Sequence, residues 1–279
     1  MATVGGRTPG ALARTGIGLY EAVAAVGDFG QFAGRTMSWL TRRLPSTTTL
    51  LQNFYTVGVL SVPVVAVTGM FIGMVLAVQS YSQFHQLGMA TRLGVIINTS
   101  VVRELGPVLA ATMLAGRVGS AMAAELATMR VTEQIDALDC LGVNSVHYLV
   151  VPRFLACLLL IPLLTIVANF MGVMGGALVC LQVYRIEEYY YWHNAEGFIG
   201  LWDLGTGLLK PMFFGAAIAL ISCHRGFKST GGAEGVGKAA TEAFVYSFIA
   251  ILALDFFLAL GLNNLHDAIW HSSGPKLVG

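Results

Sequence analysis

The sequence predicts an all-α integral membrane protein with five transmembrane helices and an N-terminal interfacial amphipathic helix. Two observations lead to this prediction. Of the 279 residues, 56% are hydrophobic and only 11% are charged, whereas a soluble domain is about a quarter charged. The apolar residues also gather in long runs, and about 20 of them in a helix cross ~30 Å of hydrocarbon at ~1.5 Å per residue.

Five segments carry these apolar runs. In chain order they are residues 57–78, 94–115, 154–184, 204–223 and 243–262. The second run is interrupted by two adjacent charges, but treating it as a loop would leave a long apolar segment outside the membrane. The third run is longer than a single span needs, and a proline within it offers a place to kink. We therefore predict five spans.

The segment ahead of the first run has a different pattern. Between residues 11 and 40, apolar side chains are interspersed with Arg14, Glu21, Asp28 and Arg35. This mixture is too polar to span a bilayer but suits a helix that lies along the membrane interface with its apolar face down. An ordinary soluble amphipathic helix is the alternative.

The placement of Lys and Arg predicts the orientation, because cytoplasmic loops of membrane proteins are enriched in these residues. With a cytoplasmic N-terminus, the outer segments hold only Arg92, Arg185 and Lys276. We therefore predict that the N-terminus is inside and the C-terminus outside. The predicted regions are an N-terminal part with the interfacial helix (1–45), a transmembrane domain (46–265, with a cytoplasmic loop at 117–152) and an outer tail (266–279).

Motifs for catalysis, metal binding or nucleotide binding do not fit the sequence. It has no H-E-x-x-H or G-x-S-x-G motif, and its four cysteines form no C-x-x-C pair. Residues 232–239 resemble the phosphate-binding loop G-x-x-x-x-G-K-[ST], but Ala239 replaces the hydroxyl residue that would hold Mg²⁺. The net charge of +1 does not suggest a nucleic-acid partner. We expect no catalytic residue, metal site or cofactor in this chain.

Charged residues inside the predicted spans form the first candidate site. They are Arg103, Glu104, Lys210 and Asp255. A charge at the bilayer centre costs about 2.5–3.5 kcal/mol on insertion scales, so it is a functional candidate by default. Counted along their spans, all four lie about 10–15 Å from the outer face. This common depth predicts one polar site, which either lines a cavity or joins the helices through internal ion pairs; both roles can hold together.

The predicted loop at 117–152 is the second candidate site. Its centre is expected to form one or two helices, with Thr132 as the cap of the second. Part of it forms an apolar stripe that nothing obvious in the chain covers, and charged residues lie beside that stripe. This mixture suits docking of a soluble partner; a helix resting on the chain's own inner surface is the alternative. The candidate docking residues are Glu125, Met129, Arg130, Glu133, Ile135, Asp136, Leu138 and Asp139.

The same segments make the sequence similar to a known family. The longest matching stretches are V-R-E-L-G-P-V-L at 102–109, A-G-R-V-G-S at 115–120 and A-E-L-A-T-M-R-V-T-E-Q-I-D-A-L at 124–138. Shorter ones follow at 142–143, 151–153, 231–237 and 254–255. Together they closely resemble the MlaE/YrbE permease family. One departure is Ala127, where the family usually has Gly; because Ala favours a helix, we expect little effect.

The resemblance implies an ABC transporter permease that works as a homodimer with ATPase subunits and an MCE-domain protein outside the membrane. Its cargo would be phospholipid or a related lipid, moved between the inner and outer membranes of a bacterium or into a plastid-like compartment. By the same resemblance, the four membrane charges surround a lipid cavity. Residues 125–138 would form the coupling helix that sits in a groove of the ATPase.

Two other classes of protein are compatible with the residues. A proton-coupled secondary transporter could use Glu104 or Asp255 as its proton relay and would need no ATPase. A membrane scaffold that transports nothing would tolerate neutralisation of all four charges. The apolar stripe on the cytoplasmic loop favours an ATPase partner over both alternatives.

Overall fold

The computed structural model describes residues 11–42, 45–86, 93–196 and 200–270, and within these ranges the chain is helical with no strand. Five helices are long and apolar enough to cross a membrane. We call them spans 1 to 5: Thr47–Phe84, Leu93–Val131, Val146–Val183, Trp202–Phe227 and Gly232–Ala268. The predicted fold class is confirmed.

The N-terminal helix, α1, covers Ala11–Arg42. Contacts divide the chain into Met1–Leu44 and Pro45–Gly279, so α1 belongs to a unit of its own. Val23, Val26 and Met37 are exposed on this helix. The helix itself agrees with the sequence pattern, while its position at a membrane interface stays a prediction.

Span 1 contains an interruption that the hydropathy pattern does not show. It starts with α2 (Thr47–Val57), whose N-cap is Ser46; the Ser46 hydroxyl accepts a hydrogen bond from the Thr49 backbone N–H. A 3₁₀ turn at Val59–Ser61 follows Gly58, and α3 then continues from Val62 to Gln86. An extra, partly polar helix therefore precedes the predicted start of the first span.

Span 2 consists of helices α4 to α6 with two π-helical turns between them. The helices are Leu93–Ser100, Gly106–Leu114 and Ser120–Val131, and the π turns cover Val101–Leu105 and Ala115–Gly119. The first π turn comes directly before Pro107, which has no N–H and whose ring would clash with the carbonyl four residues back in a regular α-helix. The wider turn accommodates this proline. Since the helix continues to Val131, the first part of the predicted loop at 117–152 is helical and belongs to span 2.

The remaining helices complete the bundle. A short helix, α7 (Gln134–Cys140), joins span 2 to span 3. Span 3 contains α8 (Val151–Leu178) between two further π turns, and α9 (Glu188–Glu196) leads on to α10 (Leu201–Phe227). The last helix, α11 (Gly232–Trp270), extends into the predicted tail; residues 271–279 lie outside the described residues. We call the two ends of the bundle the α7 end and the α9 end.

Spans 1 and 3 pack with their backbones in direct contact. A Cβ atom added to Gly73 would lie 1.8 Å from the carbonyl oxygen of Gly172, and one added to Gly175 would lie 2.2 Å from that of Met70. Such close approach is possible only without side chains, and membrane helices often use it for dispersion contacts. Span 3 therefore has a fixed neighbour on this side, while it packs against α10 on another.

At the α9 end, the buried side chain of Tyr191 connects α9 to the core. Its hydroxyl lies 3.4 Å from Asn98 Oδ1 and donates a hydrogen bond to it. Burial raises the pKa of Tyr191, with a smaller contribution from Cys180. The phenol therefore stays protonated and remains a hydrogen-bond donor at physiological pH.

Candidate functional site

The enclosed ammonium group of Lys210 is the centre of the membrane charge cluster. Its Nζ lies 2.6 Å from Glu104 Oε2 and 3.1 Å from Asp255 Oδ1. Lys210 is only 2% exposed. The structure therefore brings together three of the four predicted residues, one each from spans 2, 4 and 5. This arrangement joins the three helices, as the ion-pair interpretation of the sequence expects.

The fourth predicted residue, Arg103, pairs with a carboxylate that the sequence interpretation missed. Its Nε lies 2.7 Å from Asp203 Oδ1. Asp203 precedes Lys210 by seven residues on α10, a separation of about 10 Å along the helix axis toward the α9 end. The charges therefore form two layers along the axis rather than a single ring.

Asp203 was not predicted as a site residue because it lies one residue before the predicted fourth span. A sequence signal was available, since an acidic residue in the first turn of a helix often accepts backbone hydrogen bonds. In the structure Asp203 Oδ2 accepts one from the backbone N–H of Gly200, 3.0 Å away. The same carboxylate thus fixes the start of α10 and holds Arg103.

The local backbone explains how neighbouring residues reach different partners. Arg103 and Glu104 both lie in the π turn Val101–Leu105, and π turns occur frequently at functional sites. In span 4, Pro211 directly follows Lys210 inside α10 and removes one backbone hydrogen bond there. Both polar helices are therefore irregular at the level of the cluster.

Exposure separates the residues that can meet a ligand from those that cannot. The side chains of Arg103 and Glu104 are 42% and 49% exposed in the chain, whereas that of Lys210 is 3% exposed. Lys210 therefore organises the two carboxylates and is not free to contact a ligand. Arg103 is the cation of the cluster with accessible surface.

The second candidate site lies at the α7 end. Glu125 Oε2 is 2.9 Å from Arg153 Nη2, and Arg130 forms a salt bridge with Asp136. Asp139 Oδ1 accepts a hydrogen bond from the backbone N–H of Ser145 at 3.4 Å. Most charges of the predicted docking segment are therefore already engaged in local pairs that hold α6, α7 and the start of span 3 together.

The apolar stripe predicted on this segment is partly covered by the chain itself. Ile135 is buried and Met129 and Leu138 are half-buried. Leu141, just after α7, is 78% exposed and is the apolar side chain most available to a partner. The interpretation in which α7 rests on the chain's own surface therefore accounts for part of the stripe.

The predicted helix cap in this segment is wrong. Thr132 ends α6, and its hydroxyl donates to the Thr128 carbonyl. The N-cap of α7 is Glu133, which has a left-handed backbone (φ 59°) and no capping side-chain hydrogen bond. The left-handed backbone of Glu133, rather than a side-chain cap, therefore marks the start of α7.

The near match to a phosphate-binding loop has the structure of a helix start. Residues 232–239 form the first turns of α11, which follows helix α10 after a short turn. Gly231 and Gly232 have positive φ angles that favour glycine. This stretch connects two spans, and it lacks the preceding strand that the nucleotide-binding motif requires.

Comparisons with known proteins place most of the transmembrane region in one family. The model of the family described as Permease MlaE matches residues 50–260. A probable ABC transporter permease protein of a Synechocystis species is 43% identical over 209 residues, which is 75% of this chain and 80% of that protein.

Two further relatives extend the comparison. A probable ABC transporter permease protein of Rickettsia felis is 40% identical over 234 residues, covering 84% of this chain and 90% of the relative. The chloroplastic protein TRIGALACTOSYLDIACYLGLYCEROL 1 of Arabidopsis thaliana is 38% identical over 209 residues, covering 75% of this chain and 60% of that protein. This chain therefore belongs to the MlaE permease family and is an integral membrane permease of the ABC transporter type.

Proposed function

We propose that the chain is the membrane subunit of a transporter that moves phospholipid, or a related lipid, between membranes and is driven by a separate ATPase. The observation that carries the proposal is the half-exposed guanidinium of Arg103, held by Asp203 beside an enclosed charge cluster in an apolar bundle. A phosphate-bearing lipid needs both features, a cation for its headgroup and apolar walls for its chains. The name of the Arabidopsis relative refers to a lipid, which also supports a lipid cargo.

The cluster also supports a working unit of two copies of this chain. Arg103 and Glu104 each expose more than a third of their side chains, and charges facing hydrocarbon are costly. A water-containing cavity shared with a second copy would cover these groups, and odd-numbered spans leave no room for two equal halves in one chain. We propose a homodimer with a shared cavity, open toward an MCE-domain protein at the α9 end.

The proposed setting follows from the distribution of basic residues. The α7 end would face the cytoplasm with the N-terminus, and the C-terminus would be periplasmic, in a bacterial inner membrane. The ATPase would then dock at α6 and α7, where Leu141 is exposed beside the Arg130–Asp136 pair. Movement of this segment would be passed to spans 2 and 3, which it connects.

Replacing Arg103 with glutamine tests the cavity role. Because a charge-assisted hydrogen bond contributes about 1.5–3 kcal/mol, we expect Arg103→Gln to weaken phospholipid binding in the cavity about tenfold, which lowers the amount of phospholipid that co-purifies with the detergent-solubilised protein. Mass spectrometry of extracted lipids measures this amount. Lys238→Gln, which removes an exposed cation at the α7 end, serves as the control. Unchanged lipid recovery in Arg103→Gln would show that the cluster only joins helices.

Reversing the charge of Asp136 tests the docking segment. Asp136→Arg turns its salt bridge with Arg130 into a like-charge contact on an exposed helix, so the shape and charge of this surface change while the core stays intact. We expect recovery of the ATPase with the tagged chain from native membranes to fall about tenfold, equivalent to ~1.4 kcal/mol. Lys238→Glu changes a charge at the same end and should not alter recovery. Equal ATPase recovery in both variants would exclude this segment as the docking site.

A further inference from the structure

A polar cavity of about 550 Å³ lies at the α7 end, far from the membrane charge cluster. It is bounded by the polar face of α2, the end of span 2 and the start of span 3. Its lining includes Thr49, Gln52, Asn53, Arg117, Glu125 and Arg153. Two guanidinium groups and one carboxylate give this cavity a net positive charge.

The two arginines differ in how their donors are used. Arg153 is enclosed, with a side chain 8% exposed. Its Nη1 donates to the Leu149 carbonyl at 2.8 Å and its Nη2 lies 2.9 Å from Glu125, while its buried Nε has no hydrogen-bond partner among the described residues. Because this Nε is buried, it is closed to a ligand in the cavity, and Arg153 acts on the cavity through its charge.

Arg117, on span 2, supplies donors to the same cavity. One of its guanidinium nitrogens donates to the Ser61 hydroxyl, which holds the side chain in place. A guanidinium has five N–H donors arranged as a rigid fork that suits phosphate oxygens. The remaining donors of Arg117, beside the positive charge of Arg153, form a site for a phosphate group.

An apolar groove lies along another face of α2 and shares no lining residue with this cavity. Gln52 and Thr56 line both the polar cavity and a neighbouring one, which shares Leu51 and Tyr55 with the groove. The groove has a volume of about 500 Å³. Its walls come from α2, the following 3₁₀ turn, the start of α3 and span 3, including Val59, Val62, Leu160 and Leu163.

The arginine-lined cavity and the apolar groove are placed to suit the headgroup and the acyl chains of a phospholipid. Arg117 and Arg153 lie just outside the apolar runs at 94–115 and 154–184, so we expect them at the level of the lipid headgroups. Leu163 follows Arg153 by ten residues, about 15 Å deeper along the helix. The cation pair is thus at the membrane surface and the groove runs into the hydrocarbon.

We propose that α2 carries a binding site for an anionic phospholipid, with the phosphate between Arg117 and Arg153 and an acyl chain in the groove beside Leu163. This site is separate from the cavity proposed for transport, at the opposite end of the bundle. The proposal for this site does not depend on the proposed transport cavity. A lipid bound here would stabilise the position of α2 beside spans 2 and 3, next to the proposed docking segment.

Native mass spectrometry of the full chain, titrated with phosphatidylglycerol in detergent, tests the proposal. We expect a saturable bound lipid whose affinity Arg117→Gln lowers at least tenfold and Leu163→Asn lowers severalfold, and which Arg103→Gln leaves in place. The matched controls are Lys238→Gln, an exposed cation at the same end, and Ile166→Asn, an exposed position on span 3 outside the groove. Arg117 is replaced rather than Arg153 because Arg153 also contacts the Leu149 carbonyl and Glu125.

Three other results would overturn the proposal. Equal binding by the wild type, Arg117→Gln and Leu163→Asn would show that the lipid does not use this site. Displacement of the lipid by the soluble headgroup glycerophosphoglycerol at equal concentration would show a site for free phosphates rather than lipids. Loss of the same lipid in Arg103→Gln would place it in the transport cavity, whereas its retention there supports a second site even if the proposed transport function fails.

Discussion

Replacing Lys210 with methionine is expected to destabilise the protein by about 3 kcal/mol and to abolish lipid transport. The substitution keeps the length of the side chain but leaves Glu104 and Asp255 without their shared cation. Breaking a buried ion pair on one side costs about 3–5 kcal/mol. We take the lower value because the Glu104 side chain is 49% exposed and therefore partly solvated. Thermal unfolding in detergent, compared with Lys238→Met at an exposed position, measures the effect.

Neutralising Lys210, Glu104 and Asp255 together separates their effect on stability from their effect on lipid transport. The triple variant Lys210→Met, Glu104→Gln, Asp255→Asn removes all three charges, and such replacements are often neutral or stabilising. We expect stability to return most of the way to the wild-type value while lipid transport stays low, because the half-exposed Glu104 beside Arg103 loses its charge. Recovery of both stability and transport would mean that the three residues only hold the helices together.

Replacing Gly73 with valine is expected to prevent spans 1 and 3 from packing. The new Cβ would lie 1.8 Å from the Gly172 carbonyl oxygen, which belongs to backbone and cannot rotate away. Overpacking usually costs about 1–3 kcal/mol, and we expect the upper end or more because two helices must separate. The amount of monodisperse protein recovered from membranes and its unfolding temperature measure the effect.

The matched control for Gly73 is Gly261→Val, which places the same side chain in α11 where no atom lies within 4 Å of the added Cβ. Both variants lose a glycine from a helix and gain the same β-branched residue, so their intrinsic helix propensities change equally. Equal stability of the two variants would show that the contact between spans 1 and 3 is not as tight as the structure indicates.

The five spans could be predicted because a membrane protein must cover its apolar length with helix, and hydropathy reports that length directly. The contact of Lys210 with Glu104 and Asp255 could also be predicted, since charges at a common depth in hydrocarbon tend to pair. Depth along a helix follows from residue count alone. No knowledge of neighbouring helices was needed to expect a shared polar site.

Other features depend on which helices are neighbours, and one sequence does not reveal that. Asp203 lies outside the fourth apolar run, so its pairing with Arg103 appears only when spans 2 and 4 are placed side by side. Arg117 and Arg153 are separated by 36 positions, and they line one cavity only because their spans and α2 come together at the α7 end. The burial of Ile135 likewise follows from tertiary packing rather than from periodicity.

Lipid transfer between vesicles is the most direct test of the proposed function. Proteoliposomes containing the full chain, its ATPase and the MCE-domain protein would be mixed with acceptor vesicles, and transfer of a fluorescent phospholipid would be followed. We predict transfer that requires ATP and is lost in Arg103→Gln but kept in Lys238→Gln. Transfer by this chain alone, driven by a pH difference with no ATPase present, would contradict the account.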